Sequence, residues 1–163
     1  MIGGTVIVNS TLGKGTKFTI VLDQEIHEDE KSSTIEAINT LKTMKRVLLV
    51  NNLDIDIKAL SKILEKYYVS FDVVKWGQEC LEKIRRKEKY DYILLDEEMP
   101  KLNGIKTFEK LKLENNFDIP VILLVEEEHE KYKERYLNNG FTDVIAKPYK
   151  KVTVTKVLDK YLK

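Results

Sequence analysis

Cysteine is all but missing from this chain: Cys80 is the single one among 163 residues. That excludes an internal disulfide and any thiolate metal cluster, and it fits a reducing, cytoplasmic compartment. A charge of one sign is also lacking, since 28 basic and 27 acidic residues leave a net charge of +1. No single-signed field is available to gather nucleic acid or an anionic membrane surface, so neither is expected as a direct partner. Long hydrophobic runs are absent too: none approaches the ~20 apolar residues of a membrane span, and Met1-Ile2-Gly3-Gly4 lacks the basic and apolar regions of a signal peptide. A chain of this length holds one ordinary domain of ~100–150 residues plus an appendage.

Three segments follow one another. Residues 1–22 hold two alternating stretches, Thr5–Asn9 and Lys17–Leu22, around the glycine-bearing turn Leu12-Gly13-Lys14-Gly15, which predicts a short β-hairpin needing a neighbour to cover Phe18, Ile20 and Leu22. Residues 23–44 begin polar and acidic; Ser33-Thr34-Ile35-Glu36 then matches a helix capping box, with Ile35, Ile38 and Leu41 as an apolar stripe. This segment is expected to be a partly helical linker.

Over residues 45–163, compact apolar runs alternate with amphipathic stretches, the pattern of βαβ units around a parallel sheet. The predicted strands are 47–50, 70–74, 92–95, 120–124 and 142–145. Their apolar runs suit strands covered by helices on both faces. Helix faces are expected at Ile57/Leu60/Leu64, Cys80/Leu81/Ile84, Ile105/Phe108/Leu111, Tyr132/Tyr136/Leu137 and Val154/Val157/Leu158/Tyr161. The fold class is therefore α/β, an open (βα)5 sheet, and ligands of such sheets bind beyond the carboxyl ends of the strands.

Those ends carry Asn51-Asn52, Asp96-Glu97-Glu98-Met99-Pro100, Val125-Glu126 and Lys147-Pro148. Tyr92-Ile93-Leu94-Leu95-Asp96, with Met99-Pro100 and Asn103-Gly104 behind it, resembles the phosphoacceptor strand and loop of response-regulator receiver domains. Ile145-Ala146-Lys147-Pro148 resembles their lysine-proline strand end. The resemblance covers about 119 residues and implies a flavodoxin-like fold with strand order 2-1-3-4-5 and a role in two-component phosphorelay signalling. It assigns Asp96 as phosphoacceptor, Lys147 as the phosphate-contacting lysine, and the backbone carbonyl of Glu98 as a third protein ligand to Mg2+.

Departures from the family fall at four positions. Asn51 and Asn52 stand where the acidic pair that holds magnesium belongs, Val125 where a hydroxyl reports the phosphate, and Val144 where the switch aromatic lies. Magnesium prefers carboxylates, so the Asn51, Asn52, Asp96, Glu98 site is expected to hold it weakly. Glu97, the Glu98 side chain, Asp54 and Asp56 are nearby carboxylates that could offset the loss. Valine offers neither donor nor acceptor to a phosphoryl oxygen. Two functions follow from this balance: an inefficient phosphorelay receiver, or a phosphorylation-independent pseudo-receiver that docks a partner. A flavodoxin-like cofactor binder ranks last, because Asn51-Asn52-Leu53-Asp54 has no glycine for a phosphate loop.

Other polar residues carry less. Cys80 is expected to be inert packing, His27 and His129 to be solvated, and Arg85-Arg86-Lys87 to face a helix carboxyl end. A cis Lys147-Pro148 bond fits the motif. Gly13-Lys14-Gly15-Thr16 lacks the spacing and following helix of a P-loop. Residues 3–20 resemble instead the last hairpin of histidine-kinase ATPase domains, whose asparagine helix and ATP lid have no counterpart here. The order of kinase tail, linker and receiver resembles the carboxyl end of a hybrid sensor histidine kinase. That implies a histidine kinase or histidine-phosphotransfer domain as partner, with a homodimer as a further candidate. It also implies a parent protein that can be membrane-anchored, and no ATP binding by this fragment.

Overall fold

The structure is a computed structural model and describes residues 4–11, 15–22, 44–67 and 69–161. It divides into two compact units, residues 1–44 and 45–163. In the first, β1 (Gly4–Thr11) and β2 (Gly15–Leu22) pair antiparallel, with Val8 opposite Phe18 and Val6 opposite Ile20. Both strands are longer than the alternation alone predicted, and Gly15 belongs to a strand instead of the turn. The expected capping box and linker helix lie outside the described residues.

The second unit is a five-stranded parallel sheet. Its strands are β3 (Arg46–Val50), β4 (Ser70–Val74), β5 (Tyr92–Asp96), β6 (Val121–Val125) and β7 (Asp143–Ala146), in spatial order β4-β3-β5-β6-β7. Numbered within the unit, that is 2-1-3-4-5, the flavodoxin-like order. The helices are α1 (Asp54–Glu65), α2 (Gly77–Arg85), α3 (Gly104–Lys112), α4 (Lys133–Asn138) and α5 (Lys151–Tyr161).

Strand alternation explains why both faces need cover, because successive side chains point to opposite sides. Leu48, Val50, Ile93, Leu95, Val121, Leu123 and Val125 join one core with Cys80 and Leu81 of α2, Phe108 and Leu111 of α3 and Tyr136 of α4. Val47, Leu49, Leu94, Ile122 and Leu124 join the other, with Leu60 and Leu64 of α1 and Val154 and Leu158 of α5. Each central strand is thus buried on both sides, as its continuous apolar run demands.

One helical face differs from expectation. Residues 127–132 form a 3-10 helix before α4, and of the predicted trio only Tyr136 is buried, while Tyr132 and Leu137 are exposed. A 3-10 segment advances three residues per turn, not 3.6, so a face drawn through Tyr132 at α-helical spacing loses register there.

Candidate functional site

The carboxyl ends of β3, β5, β6 and β7 open into a cleft of about 590 Å3 lined by Asn52, Glu97, Glu98, Glu126, His129 and Lys147 among others. Asp96 ends β5, directly before the cleft-lining Glu97, and is fully buried. The loop behind it is fixed by Asn103, whose side chain accepts from the Lys106 N–H at 2.9 Å and caps α3. Gly104 follows; its N–H donates to the Glu97 carbonyl at 2.9 Å. A Cβ on Gly104 would lie 2.3 Å from the Asp96 carbonyl oxygen, so the motif Asn103-Gly104 lets the helix start directly against the strand end.

Lys147 lies one residue beyond β7, before a cis bond to Pro148. Its ammonium is 2.9 Å from Glu126 Oε1, 3.1 Å from Asp56 Oδ2 and 3.3 Å from Asp96 Oδ1. Burial alone would lower this ammonium, but the carboxylates of Glu126, Asp96 and Asp56 outweigh it and hold the pKa above the ordinary lysine value. Asp96 shows the opposite balance: burial pushes it up to about 6, with Lys147 and the Glu98 backbone N–H only partly offsetting and Asp56 adding repulsion.

The two asparagines differ in what they do. Asn51 is fully buried, and its Oδ1 accepts from the Leu53 N–H at 2.8 Å while Nδ2 donates to Asp56 Oδ2 at 3.4 Å. Its amide is therefore consumed by the start of α1. Asn52 Oδ1 is buried and lacks a hydrogen-bond partner, whereas the buried Asp96 carboxylate faces the Lys147 ammonium and the Glu98 backbone N–H.

A buried amide oxygen without a donor beside a buried carboxylate suits a hard cation, which takes oxygen ligands. Asp96, the Asn52 amide oxygen and the Glu98 carbonyl therefore fit magnesium in kind, though with less charge than an acidic pair provides. Among the described residues no group of three His, Cys, Asp or Glu side chains is placed to hold a metal.

Of the four carboxylates near in sequence, only Asp56 turns into this group. Asp54 is exposed and pairs with Lys75 at 2.7 Å. Glu98 is exposed at the cleft rim. Glu97 accepts from the Tyr136 hydroxyl at 2.6 Å and meets His129 Nδ1 at 2.8 Å. His129 is thus not simply solvated as expected; the Glu97 carboxylate holds it in place and raises its pKa above the ordinary value.

Val125 and Val144 are both buried in the core. Cys80 is packing, its thiol pushed up to about 12 by burial. Glu126 had no role on sequence grounds. The signal was the parallel register, because Val125 pairs with Ala146 and the Lys147 N–H donates to the Val125 carbonyl at 2.8 Å, which sets residue 126 beside residue 147.

Comparison with known proteins agrees with this geometry. Residues 47–159 match the family described as response regulator receiver domain. The chain is 29% identical over 160 residues to the aerobic respiration control sensor protein ArcB of Escherichia coli (strain K12), a match covering 98% of this chain and 20% of that protein. It is 29% identical over 153 residues to the autoinducer 2 sensor kinase/phosphatase LuxQ of Vibrio vulnificus (strain YJ016), covering 92% of this chain and 18% of that protein. The chain therefore spans about a fifth of the length of these relatives. Among solved structures, the receiver domain of sensor histidine kinase PA1611 from Pseudomonas aeruginosa PAO1, determined with magnesium coordinated in its active site cleft, superposes with a TM-score of 0.64 at 23% identity. That match covers 73% of this chain and 98% of the other. The chain belongs to the response regulator receiver family.

Proposed function

We propose that this chain is the receiver portion of a hybrid sensor histidine kinase in a phosphorelay, with Asp96 accepting a phosphoryl group from phosphohistidine. The carrying observation is Asp96 itself: fully buried at the carboxyl end of β5, with the Lys147 ammonium 3.3 Å from its Oδ1. In the transfer, an Asp96 carboxylate oxygen forms a bond to phosphorus and the phosphorus–nitrogen bond breaks. The bonding pair stays on the ring nitrogen, and with a proton taken up from water the imidazole leaves as the neutral ring. Lys147 meets the negative charge of the transferred group.

Asp96, the Asn52 amide oxygen and the Glu98 carbonyl are the groups that would hold magnesium, whose contribution when bound is neutralisation of the phosphoryl oxygens. With amides in place of the acidic pair, the affinity is reduced and transfer is slow at ordinary magnesium. The donor is a histidine kinase or histidine-phosphotransfer domain, by likeness to the sensor kinases above. Residues 1–22 are read as the last hairpin of a kinase ATPase domain and 23–44 as the linker, supported by the match to ArcB, which extends over 98% of this chain. A cytoplasmic location fits that reading, and no helix among the described residues is long and apolar enough to cross a membrane.

A second reading, a phosphorylation-independent pseudo-receiver that docks a partner, is favoured by Val125 and Val144. Both are buried aliphatic side chains, which cannot transmit a hydrogen bond from a phosphoryl oxygen. Incubation with a small phosphodonor and magnesium, followed by intact mass, separates the two. The phosphorelay reading expects a partial adduct of one phosphate that Asp96→Asn abolishes. The absence of any Asp96-dependent adduct would leave the pseudo-receiver.

A further inference from the structure

The end of β3 lacks two carboxylates, and the fold brings another to the same place. Asn51 Nδ2 lies 3.4 Å from Asp56 Oδ2. An aspartate at 51 would set two negative oxygens at that separation, whereas an amide and a carboxylate are complementary. The negative charge of this corner therefore sits one helical turn later in the chain. Asp56 is 16% exposed, and it converges with the buried Asp96 on one ammonium, at 3.1 and 3.3 Å from Lys147 Nζ.

A second observation is independent of that pairing. Asn52 Oδ1, just beyond β3, is a buried acceptor without a hydrogen-bond partner. Two carboxylates meeting on one ammonium, with an unpartnered amide oxygen at the neighbouring strand end, are the kinds of donor that a hard divalent cation takes. Glu126, 2.9 Å from Lys147 Nζ, gives the lysine a partner to keep when a cation displaces it from Asp56, so its charge is not stranded.

We infer that Asp56 stands in for the missing acidic pair, and that Asp56, Asp96 and the Asn52 amide oxygen together bind a divalent cation. This deepens the proposed function, resting on Asp96 as the centre of the site, but it is read without any phosphorylation. Titration of the full 163-residue chain with Mn2+ alone, followed by water-proton relaxation, tests it. Saturable binding in the millimolar range is expected, weakened about tenfold or more by Asp56→Asn and unchanged by Asp54→Asn on the same turn. Exchanging the groups, Asn51→Asp with Asp56→Asn, should restore binding to within a few-fold of the native chain. It conserves charge, so it keeps the test decisive if Asp56→Asn alone folds poorly.

Native binding that Asp56→Asn leaves unchanged, no saturable binding by the native chain, or equal weakening by Asp54→Asn would each overturn the inference. Intact mass after phosphodonor treatment keeps the two readings apart. An Asp96 adduct with Mn2+ affinity indifferent to Asp56 overturns only the cation site. An Asp56-dependent site with no Asp96 adduct overturns only the phosphorelay.

Discussion

Asp96→Asn should make the protein more stable at neutral pH, not less, although it removes the central residue of the site. Burial pushes the Asp96 carboxyl from an ordinary 3.8 to about 6, so its ionised form is held at a cost in the folded state. The folded pKa is raised. Between pH 4 and pH 6 the folded protein therefore binds more protons than the unfolded chain, and this group's contribution to stability falls as pH rises through that window. Above pH 6 the full cost persists. At about 1.4 kcal/mol per pKa unit, the neutral amide relieves up to ~3 kcal/mol, less whatever Lys147 loses with one of its carboxylates. Chemical denaturation in a chelating buffer should show a gain of ~1–3 kcal/mol at pH 7.5 that vanishes by pH 4. A loss of stability at pH 7.5 would mean that the Lys147 contact outweighs desolvation.

Gly104→Ala should act in the opposite direction. The added Cβ would sit 2.3 Å from the Asp96 carbonyl oxygen and 3.0 Å from both Asp96 C and Glu97 Cα. These are backbone atoms at the end of a buried strand and cannot rotate away. Either α3 backs off its cap or the end of β5 shifts, at a cost of about 2–4 kcal/mol. Since the shift would carry Asp96 with it, acceptance of a phosphoryl group should fall along with stability. Denaturation midpoints and adduct yield on the same variant check both halves. An unchanged midpoint would show that the helix start has slack that this structure does not display.

Much of this was readable in the residues because parallel strands buried on both faces are written as uninterrupted apolar runs. Val47–Val50 and Val121–Val125 stop where polar residues begin, and in an open α/β sheet those stops line up at one edge. Asn51, Asn52, Asp96 and Lys147 could be placed at that edge before any coordinates. The partners of Lys147 could not. Whether Asp54 or Asp56 turns inward depends on how α1 is rotated against the sheet, which Leu60 and Leu64 fix only once they are packed. Glu126 needed the β6–β7 register, and the contact of Glu97 with His129 needed the 3-10 turn that brings residue 129 back over the cleft. A count of charges at the matched positions alone therefore leaves out Asp56 and Glu126, both of which the fold supplies.

Under the proposed function, Asp96 is a working phosphoacceptor whose cation site is short of charge. Intact mass after phosphodonor treatment, measured across a range of magnesium concentrations for the native chain and for Asn52→Asp, tests it most directly. Asn52 is the site for the change because its Oδ1 is buried without a partner, so a carboxylate there adds charge without disturbing the contacts of Asn51. An Asp96-dependent adduct of one phosphate is expected in both proteins, with Asn52→Asp reaching half its maximal yield at about tenfold less magnesium. No adduct in either protein, or identical magnesium dependence in the two, would contradict it.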